Sequence, residues 1–263
     1  GNLISDIVPA NQDKATVNLG ECTPGTTVYI HIRPVDNAGN IGEEFVQEIE
    51  IPDNESYFDL PYALFASEKE VQLFCCQADV KGIVYGNETF RFQGSTLNLL
   101  GTAYSAGKLQ IAGGDLHIAE KIENASQIEL PNYMTDILDN MKQNTGIEEI
   151  AEYNMANVTN PTICKTTTRA WCNRVNIFAD LVSNGDISFN ANVMTLGYKD
   201  PVVIASENGD ITIQATNVNG NGLIYAPNGT VTINVCDFDY KGSIIAKKIN
   251  IQATYYQHKI EDK

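Results

Sequence analysis

The chain has 263 residues, a formal net charge of −16 and a pI near 4.5. That balance excludes a nucleic-acid partner, which needs clustered Lys and Arg, and works against docking to anionic lipid. No apolar run reaches the roughly 18 residues a membrane span requires, so no membrane insertion is expected.

Taken in order, residues 1–54 form a first segment. Thr26–Val35 alternates as a strand, Asp36–Asn40 reads as a turn, and Phe45–Ile51 returns as a second strand. Tyr29-Ile-His-Ile-Arg-Pro-Val-Asp-Asn-Ala-Gly-Asn resembles the closing strands of immunoglobulin-like or fibronectin-type repeats, which implies a partial domain of that kind. His31 on this strand reads as structural. Pro52–Pro61 is a linker, and residues 55–263 then follow one repeated sentence.

The sentence is clearest in its two best copies. Asp210-Ile-Thr-Ile-Gln-Ala-Thr-Asn-Val is followed by Gly222-Leu-Ile-Tyr-Ala. Thr230-Val-Thr-Ile-Asn-Val-Cys-Asp-Phe is followed by Gly242-Ser-Ile-Ile-Ala. Glu70–Gly86 and Thr89–Ser105 repeat it, with weaker copies from Lys108, Asp186 and Lys248. Three apolar columns result. The first holds Val71, Phe90, Leu109, Ile187, Ile211, Val231 and Ile249. The second, two residues on, holds Leu73, Phe92, Ile111, Phe189, Ile213, Ile233 and Ile251. The third holds Ala78, Leu97, Leu116, Met194, Val218, Phe238 and Tyr256. Period-two alternation means a strand with one buried face. A short repeat that cannot bury its own face must stack on its neighbours.

The expectation is an all-β chain: a single-stranded parallel β-helix of about seven coils, each of roughly 18–24 residues, with an α-helical insertion over 119–174. Gly82, Gly101, Gly222 and Gly242 suit its corners, where backbone needs positive φ or close approach. A small or mildly polar column at a bend comprises Cys76, Ser95, Gly114, Asn192, Thr216, Cys236 and Thr254. Within the insertion, Met134, Ile137, Leu138 and Met141 have helical spacing, and Ile147–Tyr153 reads as a second short helix.

Val202-Val-Ile-Ala-Ser-Glu-Asn-Gly-Asp-Ile-Thr-Ile and Gly222-Leu-Ile-Tyr-Ala-Pro-Asn-Gly-Thr-Val-Thr-Ile resemble the β-solenoid modules of bacterial cell-surface proteins, which often follow immunoglobulin-like repeats. The resemblance covers about two thirds of the chain. It implies a secreted or wall-attached location and brings no catalytic motif.

Candidate chemistry is sparse. Asp186 and Asp210 share a column that continues as Thr230 and Lys248, so they read as turn residues after Asn-Gly. Asp237 and Asp239 flank an inward Phe238 and read as solvent-facing. No Ser/His/Asp or Cys/His set can be assembled, and no spacing suits zinc, so no catalytic residue, metal site or cofactor is expected. The cysteines read as buried free thiols within the coils, with a Cys164–Cys172 disulfide as the alternative.

The informative column is aromatic: Tyr85, Tyr104 and Tyr225, each three residues past a corner glycine, with Phe65, Phe178, Ile204 and Ile245 at the equivalent places. Alternation turns it outward, while Val84, Ala103, Ile224 and Ile244 turn in, with Gly86, Ser105, Ala226 and Ala246. Such a stripe is either covered by the helix over Met134–Met141 or serves as a ligand platform for a glycan or a host or surface protein. The expected function is a non-catalytic, adhesin-like or structural binding module, monomeric, extracellular or wall-attached. The rivals are a carbohydrate-active enzyme on the same scaffold and a self-assembling surface scaffold.

Overall fold

The structure is a computed structural model and describes residues 27–36, 38–50, 60–143, 148–150, 153–154, 156–197 and 200–260. The chain divides into two units, Gly1–Ser56 and Tyr57–Lys263. In the first, β1 (Thr27–Ile32) and β2 (Phe45–Glu50) pair antiparallel, with His31 opposite Val46. Between them the Asp36 carboxylate accepts from the Ala38 and Asn40 amides and from the Asn40 side chain. These bonds, led by the one from the Asn40 side chain, hold its carboxyl below the usual range. His31 lies against Glu44, with Nδ1 3.2 Å from Oε1.

The second unit is built almost entirely of strands. Its first half holds β3 (Tyr62–Ala66), β4 (Glu70–Lys81), β5 (Ile83–Gly86), β6 (Thr89–Ser105), β7 (Leu109–Ala112) and β8 (Asp115–Ile122). One helix follows, α1 (Met134–Gln143). The second half holds β9 (Glu148–Ile150), β10 (Tyr153–Asn154), β11 (Asn157–Val158), β12 (Thr162–Cys164), β13 (Thr168–Ile177), β14 (Leu181–Ser183), β15 (Ile187–Leu196) and β16 (Val202–Ser206). It closes with β17 (Ile211–Lys259), 49 residues of extended chain that turn several corners.

All described pairings in this unit are parallel, and they set like side chains next to like. Val71 pairs with Phe90 and Phe90 with Leu109; Leu73, Phe92 and Ile111 follow the same register. In the second half, Ile187, Phe189 and Met194 pair with Ile211, Ile213 and Val218. A fourth buried column lies two residues past the third: Val80, Leu99, Leu196, Tyr240 and His258. Pairing skips the bend column, passing from Cys75↔Gly94 to Gln77↔Thr96, so Cys76 and Ser95 sit outside the ladder at a corner. Adjacent Cys75 and Cys76 accordingly face opposite ways, one buried and one exposed, and Cys236 in the same bend column is exposed too, which corrects the expectation of buried thiols. Gly222 and Gly242 have φ of 137° and 129°, and a Cβ on either would lie 1.9 Å from a carbonyl oxygen of the rung beneath.

The order of the rungs is not the order of the chain. A plain sequential stack would set 109–122 against the first rung of the second half. Instead Ile249 pairs with Val71, Ile251 with Leu73 and His258 with Val80, while Ile244 pairs with Leu64. The last repeat therefore seals against the first. This seam closes a ring of pairings through β3, β5, β6, β4 and β17.

Two expectations for 119–174 are corrected. Strand β8 continues to Ile122 and parallel pairing resumes at Glu148, so the described residues between these strands are 123–143. Among the described residues the second helix expected over Ile147–Tyr153 does not appear; β9 and β10 stand at Glu148–Ile150 and Tyr153–Asn154. The signal was weak because Thr168 and Ala170 fill the columns that Ile187 and Phe189 fill next door. The disulfide alternative is also set aside: Cys164 and Cys172 are not bonded to each other, and their sulfurs lie 3.2 and 3.0 Å from the Thr167 and Arg174 carbonyls.

Two buried polar groups generate predictions. The Thr168 hydroxyl is buried in the first column without a hydrogen-bond partner. Replacing it by isosteric valine removes that unmet polar group, so T168V should raise unfolding free energy by about 1 kcal/mol in urea titrations. His258 is buried at the seam among Phe238, Tyr240 and Tyr256. Its Nε2 lies 2.9 Å from the Gly242 carbonyl, which can only accept, so Nε2 carries the proton and Nδ1 accepts from the Tyr256 hydroxyl at 2.6 Å. Burial pushes the imidazole down to about 4, against an ordinary 6.5. The unfolded chain thus binds a proton that the folded one refuses between those values. Stability from this group is complete above pH 6.5 and falls by about 3 kcal/mol on acidification to pH 4. In H258Q, denaturation midpoints should show a correspondingly smaller loss across that window.

Candidate functional site

One wall of the stack is apolar on both faces. Its outward column runs Ile163, Val182, Ala205, Tyr225, Ile245, Phe65, Tyr85 and Tyr104, following the register from the second half across the seam into the first. Val84, Ala103, Ile224 and Ile244 point inward into the main core as alternation requires. Two expected members of the outward column are corrected. Ile204 pairs with Ile224 and faces in, leaving Ala205 outward, and Phe178 lies beyond the strand and is exposed.

Residues 123–143 lie along this column and cover most of it. Ala125 bonds to Ser105, the Tyr85 hydroxyl donates to the Ser126 carbonyl, and the Asn87 amide grips Ile128 from both sides. Further along, the Asn132 side chain caps α1 at the Met134 amide, and the Tyr225 hydroxyl accepts from the Tyr133 amide at 3.1 Å. Tyr133, Met134, Ile137 and Met141 bury their side chains against Val203, Leu223 and Tyr225. The helix follows from its spacing: Met134, Ile137, Leu138 and Met141 make one apolar stripe on an otherwise polar segment.

Of the three expected ligand tyrosines, Tyr85 and Tyr225 are thus buried beneath this strap and Tyr104 is partly exposed. Phe65 and Tyr85 stack at 5.2 Å, and Tyr104 tilts against Tyr85 at 5.8 Å. Burial raises the Tyr225 hydroxyl to about 12, so it stays protonated at physiological pH. Sequence reading did not single out Asp180. Burial raises its carboxyl, and it accepts from the Val203 amide at 2.8 Å, so it braces the turn into β16.

The remaining walls are open and polar. On the wall that follows the bend, Asn176, Thr195 and Asn219 stand in register, as do Gln257, Asp79, Asn98 and His117 across the seam. Neighbouring rungs are tied by side chains: Asn98 donates to Asp79 at 2.6 Å and Asn176 to Asn157 at 2.6 Å. Asp237 and Asp239 lie on this wall on either side of buried Phe238. With its amide nitrogen turned toward Asp237, Asn217 donates to Oδ2 at 2.9 Å. A shallow cleft of about 460 Å³ runs here between Thr195 and Gln257. On the adjacent wall Trp171, the chain's one tryptophan, is 76% exposed beside Asn190 and Asn192. Asp186 and Asp210 act as the turn residues expected, Asp186 accepting from the Asp210 amide and Asp210 from the Thr230 amide. Among the described residues no three His, Cys, Asp or Glu side chains converge on a metal position, and no helix is long and apolar enough to cross a membrane.

Comparison with protein-family models, with curated proteins and with solved structures returns no match.

The grip on the strap can be tested directly. N87A removes its two-sided hold on Ile128, and Y225F removes the acceptor for the Tyr133 amide. Each lost bond is worth about 1 kcal/mol. Amide hydrogen exchange across 126–141 should accelerate in both variants while the strands of β15 keep their protection.

Proposed function

We propose that this chain is a non-catalytic binding and spacer module of a bacterial cell surface, extracellular or wall-attached and monomeric. In this reading residues 57–263 form a single-stranded parallel β-helix, and the first unit is part of an immunoglobulin-like repeat. The parallel registers, recurring about every 20 residues, support the β-helix. The observation that carries the function is the open ladder: rung after rung of Asn, Thr, Gln and Asp on a wall otherwise free to meet a partner. A rigid stack holding short hydrogen-bonding side chains in fixed rows is preorganised for recognition and loses little side-chain entropy on binding. The strap occupies the aromatic stripe, so the binding surface is assigned to the open walls.

The rival is a carbohydrate-active enzyme, favoured by Asp237 and Asp239 on one side of one strand. The test is exposure of the purified chain to a panel of immobilised glycans and surface proteins, with release of reducing ends measured in parallel. Retention on the panel with no new reducing ends is expected. Release of reducing ends would overturn the non-catalytic reading.

A further inference from the structure

We propose that the cleft crossed by Asn217, Asp237 and Tyr255 in one column, and by Thr195, Asn219, Asp239 and Gln257 in the next, binds an uncharged polysaccharide laid across the rungs. The inference rests on the binding-module reading and names its ligand class and site.

Three observations on the cleft point the same way. The first is an aromatic platform. Tyr255 is 54% exposed and borders the cleft, while its neighbour Tyr256 turns inward and stacks on Phe238 at 5.1 Å with an interplanar angle of 5°. That stacked pair anchors the strand from which Tyr255 projects. An exposed tyrosine face offers a flat apolar surface with a polar edge, which suits the C–H face of a pyranose ring.

The second is hydrogen-bonding capacity in two parallel columns. Asp237 and Asp239 are two residues apart on one strand, so both carboxylates project on the same side. A carboxylate can accept from two adjacent hydroxyls at once, and amides such as Asn219 and Gln257 both donate and accept. This is the donor and acceptor mixture that a polyhydroxylated chain satisfies and an apolar peptide does not. Successive rungs are spaced about 4.8 Å apart. That is comparable with the length of one sugar unit in an extended chain, so a polymer running along the stack meets equivalent groups unit after unit.

The third is charge. The cleft lining contains carboxylates and no Lys or Arg, and the whole chain carries −16. A uronate, sulfated or phosphate-bearing polymer would be repelled. The cleft's two carboxylates do not make a metal site with a third His, Cys, Asp or Glu, since no such group converges among the described residues. The field excludes anionic polymers, and an uncharged glycan matches the exposed tyrosine face together with the rows of amides and carboxylates.

The test is affinity electrophoresis and calorimetry of the full chain with hydroxyethylcellulose, xyloglucan and galactomannan, and with polygalacturonate as the charged control. At least one neutral polymer should retard the protein and polygalacturonate should not. Y255A should weaken that binding at least tenfold and N219A several-fold, with circular dichroism and denaturation midpoints unchanged because both side chains are exposed. W171A, on the adjacent wall, should bind as the parent does. Retardation by no neutral polymer, or equal binding by Y255A and the parent, would overturn the assignment. If binding is lost only in W171A, the cleft is wrong while the binding-module reading stands. If the cleft variants lose binding but the parent also releases reducing ends, the cleft stands and the non-catalytic reading falls.

Discussion

The seam between β17 and β4 is the pairing on which the rest of the second unit depends. Ile249–Lys259 lies in register against Val71–Lys81 over ten paired positions, and Leu64 to Ala66 adds the adjacent wall. Each half of the chain stacks locally, every rung on the one before. The two stacks are joined backbone to backbone by this contact between residues far apart in sequence, and the strap spans both from outside. An ordinary repeat array gains stability by nearest-neighbour addition and can propagate from any rung. Here one interface in the middle carries a loop-closure entropy that the others do not. The seam also holds a buried aromatic group, Phe238, Tyr240 and Tyr256, with a neutral histidine packed among them. Concentrating apolar area at the most expensive contact is a physically sensible distribution.

The strap follows from the seam. If the first half grows away from the seam and the second half grows toward it, the chain must travel back along the whole stack between them. Residues 123–143 make that journey on the outside, from the Ser105 rung past Asn87 to Tyr225. A connection of this kind needs an apolar track, and the wall beneath supplies one. This explains why Leu223-Ile224-Tyr225-Ala226 and Val202-Val203-Ile204-Ala205 are continuous apolar runs: the wall has core on one side and strap on the other, as in sheets covered on both faces.

Much of this was written in the sequence, and the misses have physical causes. Columns such as Val71, Phe90, Ile211 and Ile251 were legible because a one-sided strand alternates and each rung repeats its neighbour. The helix was legible from the spacing of Met134, Ile137 and Met141. The order of rungs was not, because parallel neighbours demand similar side chains and every rung resembles every other; similarity cannot say which copy lies beside which. The early rungs of the second half were hidden because Thr168 and Ala170 stand where larger aliphatic residues mark the pattern elsewhere. The open cleft was missed for a related reason. Taken singly in the sequence, Asp237 and Asp239 are two solvated carboxylates, and only the contact that sets Asn217 against Asp237 turns them into part of a lined surface.

The contrast between the walls narrows what the molecule can do. On the strap-covered wall, hydroxyl and amide groups are committed: Tyr85, Asn87 and Tyr225 all end on strap backbone. On the open walls the ladder bonds run between neighbouring side chains, as from Asn98 to Asp79 and from Asn192 to Asn173 at 2.7 Å, and each such group keeps capacity toward solvent. Bonds along the ladder fix side-chain positions without consuming them, since an amide has four hydrogen-bonding positions and a carboxylate about as many. Rigidity and residual capacity therefore coexist on the same residues, which is what a surface needs in order to recognise a polar polymer without reorganising.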